Sequence, residues 1–124
     1  MQTHDQTATA VANEARARGA HTHIMDGSVA PSRTATIEAI AEALAFPETG
    51  LRSADELYDR LTDLSWLPSG EHVLIWVGSD VLKQADPKGY LSIRSVLSDS
   101  ERAHAAGSTG RDGRILTVAL AVES

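Results

Sequence analysis

His72-Val73-Leu74-Ile75-Trp76-Val77 is a nearly unbroken apolar run, and a second follows at Ile115-Leu116-Thr117-Val118-Ala119-Leu120. Strands buried on both faces read this way, which favours a central sheet covered by helices. A shorter segment, His23-Ile24-Met25, reads as a third strand that ends at the turn residues Asp26-Gly27-Ser28.

Helical patterns lie between these runs. Ser32, Thr34 or Thr36 can cap a helix in which Ile37, Ile40, Ala41 and Leu44 recur at i, i+3, i+4 and i+7, closed by Phe46-Pro47. A second helix starts at Ser53, with Glu56 at the spacing of a capping box, and stops before Pro68-Ser69-Gly70. Ser79-Asp80 opens a short helix that runs through Gln84 and is stopped by Asp86-Pro87. A last helix runs from about Tyr90 to Ala105, with Tyr90, Ile93, Val96 and Leu97 on one side. Helices that alternate with buried strands imply parallel pairing through crossovers. The expected architecture is α/β, a three-stranded parallel sheet with about four helices packed around it.

The chain has 124 residues, which suits one domain. Residues 1–20 carry a single bulky aliphatic, Val11, and read as a flexible or loosely attached tail, with helix formers from Ala8 to Arg18. Residues 21–124 form the domain. No cysteine is present, which removes disulfides, thiolate metal sites and cysteine nucleophiles. With 17 acidic against 11 basic side chains the net charge is −6, which argues against nucleic acid as a partner and for a basic protein. No apolar run is long enough for a membrane span, and residues 1–20 lack a signal-peptide pattern. A soluble, cytoplasmic protein is expected.

The second helix carries the chemistry. At about 100° per residue, Ala54, Leu57, Tyr58, Leu61 and Leu64 gather on one side, and Asp55, Glu56, Asp59 and Asp63 on the other. Asp55, Asp59 and Asp63 are successive i+4 neighbours, each pair costing the helix a few tenths of a kcal/mol. The helix dipole favours Asp55 and Glu56 in the first turn, and Glu56 stands four residues before Arg60. Two readings stay open: a solvated helix face, or a carboxylate row held outward for a cationic cleft. They are separated by whether Asp59 has an arginine partner within its own chain.

Leu44-Ala45-Phe46-Pro47 and the stretch Asp55-Glu56-Leu57-Tyr58-Asp59-Arg60-Leu61-Thr62-Asp63-Leu64 resemble the barstar family, small cytoplasmic inhibitors of secreted bacterial ribonucleases. The likeness continues through Ser65-Trp66-Leu67-Pro68 and the strand with Trp76, and covers about His21 to Val122. It implies the same three-stranded parallel fold, and a second helix and preceding loop that plug a ribonuclease active site. By that resemblance Asp59 takes the place of an RNA phosphate and Asp55 is the second acidic contact. Tyr58 stands where the family places a Trp or Tyr, and Ser53 where it usually places an Asn. Thr49 replaces a stacking aromatic, Ala54 a larger aliphatic, and the loop glycine appears one position early, at Gly50. Asp63 extends the row, and Glu101 is the nearest candidate for a further acidic contact from the last helix.

The resemblance implies a basic extracellular ribonuclease of barnase-like type as partner and a monomer when free. The alternative is an interaction or regulatory module of the same fold whose target is not a ribonuclease. His21-x-His23 places two imidazoles on one side of a strand, but no third ligand is evident, so an edge-strand or surface pair is expected and no metal or cofactor. Gly107-Ser108-Thr109-Gly110-Arg111-Asp112-Gly113 precedes a strand where a phosphate loop would precede a helix, and reads as a connection. Trp66 and Trp76 read as core packing. No catalytic constellation is evident, and the protein is not expected to be an enzyme.

Overall fold

The computed structural model describes residues 7–47, 51, 53–105 and 114–122. Strands β1 (His21–Asp26), β2 (Gly70–Val77) and β3 (Arg114–Ala121) form one sheet in the order β1-β2-β3. Both pairings are parallel, with His21 opposite His72 and Gly70 opposite Arg114. Helices α2 (Arg33–Ala43) and α3 (Ala54–Asp63) connect the first two strands, and α4 (Asp80–Ala85) and α5 (Pro87–Ala105) connect the last two. The α/β fold with a three-stranded parallel sheet is as the sequence implied.

β2 is the middle strand, and every residue from His72 to Val77 is buried. Because side chains alternate along a strand, His72, Leu74 and Trp76 face one way and Val73, Ile75 and Val77 the other. Leu74 and Trp76 join the main core with Ile37 and Ile40 of α2, Leu57 and Leu61 of α3, and Ile93 and Leu97 of α5. Both connections thus cross the same face, which keeps one crossover hand as the strands are laid down in sequence order. Gly27 sits where β1 turns away from the sheet. A Cβ there would lie 2.5 Å from Trp76 Nε1 and 2.6 Å from the Val77 carbonyl oxygen, so the close approach admits only glycine.

The opposite face differs from expectation. The segment read as a loosely attached tail forms α1 (Ala8–Ala17), a fifth helix, with Ala8, Val11, Ala12 and Ala15 buried. These pack in a second cluster with Val73, Ile75, Val77 and Ala121. Alanine buries little area by itself, but a helix face without long side chains lies close to the sheet and covers β2. Polar links fix it at both ends. Thr7 bridges to Val122, and the Ala8 amide donates to the Val122 carbonyl at 2.9 Å. Arg18, which caps the far end, donates twice to Glu71 of β2, at 2.9 Å each. Glu71 Oε2 also accepts from Thr117 Oγ1 of β3 at 2.7 Å.

The Arg18 hydrogen bonds hold the Glu71 carboxyl below its ordinary range, helped by Thr117 and opposed by partial burial. A carboxyl depressed in the folded state contributes stability above its unfolded value, lost as pH falls through the folded one. The attachment of α1 is therefore expected to weaken as pH drops below about 4.3, seen as falling amide-exchange protection across residues 8–17. Glu71→Gln should remove that acid dependence while leaving the protection of β2 in place.

Candidate functional site

α3 begins with the capping box that the Ser53/Glu56 spacing implied. Ser53 Oγ accepts from the Glu56 amide at 3.1 Å, and Glu56 Oε1 accepts from the Ser53 amide at 3.2 Å. Leu57, Leu61 and Leu64 are fully buried and anchor the helix to the core. Leu64 ends it in the left-handed region at φ 51°, its amide donating to the Arg60 carbonyl at 3.2 Å. The approach to α3 is also held inside. Leu44, Phe46 and Leu51 are buried, Trp66 Nε1 donates to the Leu44 carbonyl at 2.9 Å, and Phe46 meets the Trp66 ring edge-on at 5.3 Å.

Asp55, Glu56, Asp59 and Asp63 are exposed. Among the described residues, the carboxylates of Asp55 and Asp59 have no hydrogen-bond or ion-pair partner. Asp63, at the end of the helix, accepts from Ser65 Oγ at 3.0 Å. Tyr58 lies at the edge of the leucine side. It is 37% exposed, since it lies about 100° from Leu57 and the three leucines already fill the seam. It therefore stands beside Asp59 on the outer surface. Ser53 and Ala54 are half-buried at the start of the helix, and Thr49 lies outside the described residues.

Glu101 is placed elsewhere in role. Its Oε2 accepts from the Val118 amide at 2.7 Å, so it latches α5 to β3 and is not a free anion. An amide on the outer edge of a parallel strand has no ladder partner and must find an acceptor, a requirement the one-dimensional pattern does not show. Trp76 is fully buried and Trp66 half-buried, both as packing residues. The loop of residues 107–113 lies outside the described residues. Among the described residues no group of three or more His, Asp or Glu is arranged to hold a metal ion, and no helix is long and apolar enough to cross a membrane.

Two substitutions separate scaffold from surface. Ser53→Ala removes an N-cap and should cost about 1 kcal/mol, measured as a lower denaturation midpoint. Asp59→Asn should cost no stability in the same measurement, because it releases no partner among the described residues and relieves like-charge neighbours at i±4.

A search of curated proteins found no significant match. Among solved structures, the fold is similar to the Aeropyrum pernix ORC1 protein in complex with DNA, with TM-score 0.56 and 22% identity. That likeness covers 96% of this chain but 31% of the other, and it shows the fold alone. The family model described as "Barstar (barnase inhibitor)" matches residues 20–120. The matched stretch begins just before β1 and reaches almost to the end of β3, leaving α1 outside it. Sheet, crossovers and acidic helix all fall within it, and the chain belongs to the barstar family.

Proposed function

We propose that this protein inhibits a basic bacterial ribonuclease of barnase-like type by placing α3 and the loop before it in the enzyme's active site. The observation that carries the reading is the state of Asp59: exposed, in mid-helix, and without a partner among the described residues. Glu71, Asp63 and Glu101, by contrast, each accept a hydrogen bond within the chain.

The chemistry follows from what such an enzyme must do. A ribonuclease holds a phosphodiester with guanidinium, ammonium and imidazolium groups, and a carboxylate at the same position meets a site already built for negative charge. Opposite fields speed the encounter, and charge-assisted hydrogen bonds formed out of water slow release. Asp59 is the central contact and Asp55 the second, one turn nearer the cap. Tyr58 supplies an apolar surface beside them, of the kind that commonly dominates interface energetics. Ser53, Ala54 and Thr49 border the same contact, and Asp63 extends its field. In this reading the protein has no catalytic group of its own, acts in the cytoplasm and is a monomer when free.

The family's description names a barnase inhibitor, which supports the class of partner. Thr49 and Ala54, smaller than the residues this family places there, favour a nuclease with a differently shaped cleft. They also sustain the second reading, a partner that is not a nuclease.

RNA cleavage by candidate secreted ribonucleases, titrated with this protein at low and high salt, tests the proposal. Stoichiometric inhibition is expected, with association slowed as salt screens the opposed charges. Asp59→Ala should weaken inhibition about 30-fold or more, the cost of leaving a buried cation unpaired. Glu38→Ala, an exposed carboxylate on α2, should leave it within about twofold. Equal effects of the two substitutions would overturn the role of Asp59, and absence of inhibition at every salt concentration would favour the second reading.

A further inference from the structure

The two histidines lie on edge strand β1, as expected, but they do not stand alone. His21 and His23 of β1 meet His72 of β2, which is fully buried. The His21 and His72 rings stack with centroids 4.7 Å apart at 16°, and the His23 ring lies 5.2 Å from that of His72. His23 Nε2 is 2.9 Å from His72 Nδ1. The outer nitrogens both face carbonyl oxygens: His23 Nδ1 lies 3.2 Å from the oxygen of Ala43, and His72 Nε2 lies 2.7 Å from that of Pro68.

Counting protons makes this arrangement informative. A carbonyl oxygen only accepts, so each outer contact needs an N–H. The central N···N contact needs one proton as well. Three protons are required, and two neutral imidazoles carry two. With both carbonyls satisfied, the neutral pair points lone pair at lone pair across the central contact. If one ring changes tautomer to supply the centre, it releases its carbonyl. The neutral pair thus forms two of the three links, and the singly protonated pair forms all three.

We propose that His23 and His72 are positioning residues that act as a one-proton clamp on the segment between Ala43 and Pro68, which contains the acidic helix. Ala43 is the last residue of α2 and Pro68 follows the end of α3, so the two carbonyls flank the loop and helix on both sides. Uptake of one proton closes the third link and ties both flanks to the sheet. The last carbonyls of a helix also favour an adjacent positive charge.

The surroundings set where the proton is taken up. Burial lowers both histidines from their ordinary value. His23 is pushed further down by His72 and His21 and drawn up by the Ala43 carbonyl. On His72, the Pro68 carbonyl opposes burial, while His21, Arg114 of β3 and His104 of α5 add to the lowering. Glu71, the neighbour of His72 in the chain, lies on the opposite face and is held by Arg18, and Glu38 and Glu42 of α2 are exposed. The step therefore falls below about pH 6.5, and a second proton on the same pair is opposed by the first.

The inference does not depend on the ribonuclease reading, and its test needs no nuclease. Nitrogen-15 shifts of the histidine rings, followed by NMR through a pH titration of the wild-type protein, should show His23 and His72 taking up one proton together. Above the step one outer nitrogen, His23 Nδ1 or His72 Nε2, should be partly unprotonated because its ring supplies the centre; below it both should carry a proton and the two inner nitrogens share the third. The amides of Leu44 and Ser69 should follow the same curve, and exchange protection at the ends of the 44–68 segment should rise about fivefold, the worth of one hydrogen bond. His23→Gln, at a half-exposed position, should abolish the step in both flanks. Independent titration of the two rings, or amides at 44 and 69 that do not move with them, would overturn the clamp.

Discussion

Six consecutive residues of β2, His72–Val77, are buried on both sides of the sheet, and a strand in that position has to be covered twice. Burial of apolar surface at about 25 cal/mol per Å² drives both covers, but they are built differently. One is a thick layer of α2, α3 and α5 carrying isoleucines and leucines; the other is a single helix of small residues. The thick layer has its own consequence for α3. With Leu57, Leu61 and Leu64 sufficient to dock it, the remainder of its circumference has no packing duty. Asp55 and Asp59 lie on that outer surface, while Glu56 closes the capping box.

That division explains how far the sequence could be read. β2 was legible because a doubly buried strand has no polar side, and α3 because a capping box and a leucine stripe are local patterns. β3 reads as apolar as β2 but is an edge strand with Ile115 and Leu120 exposed, not the doubly buried strand its sequence implied. α1 was misjudged for two reasons. Its apolar side consists mainly of alanines, whose burial becomes visible only against a flat sheet. Its principal tether, Arg18 to Glu71, joins residues 53 positions apart. Long range also hid Glu101, whose carboxylate serves a β3 edge amide, and His72, which looked like one more member of an apolar run until the register set it opposite His21. The degree of exposure of Tyr58 was open for a finer reason: a residue on the flank of a stripe goes inward or outward according to whether the seam is already full.

The unfavourable charge arrangement of α3 bears on the functional assignment. Asp55, Asp59 and Asp63 repel one another at i+4 along the helix. The dipole of the first turn compensates Asp55, and the Ser65 hydroxyl gives Asp63 a local partner. Asp59 sits too far from either end for both forms of relief. An exposed carboxylate that burdens its own helix and engages nothing among the described residues is poorly explained by stability alone. A cationic partner would turn the same repulsion into attraction, since the field that opposes the free helix is the field that guides and holds the bound one.

A row of charges is effective only if it arrives in place, because ordering a mobile segment at the moment of binding subtracts from the affinity. α3 is held along its length by leucines, at its start by the capping box and at its end by the left-handed turn at Leu64. The chain on either side is secured through Trp66 to Leu44 and through the imidazole pair to Ala43 and Pro68. These restraints come from β1, β2 and the turn after α3, so the acidic surface inherits its rigidity from the sheet. The restraint has one adjustable component, because the imidazole pair needs one more proton than it carries when neutral. The geometry of the presented anions is thereby coupled to the protonation of the sheet beneath them, without any change in the anions themselves.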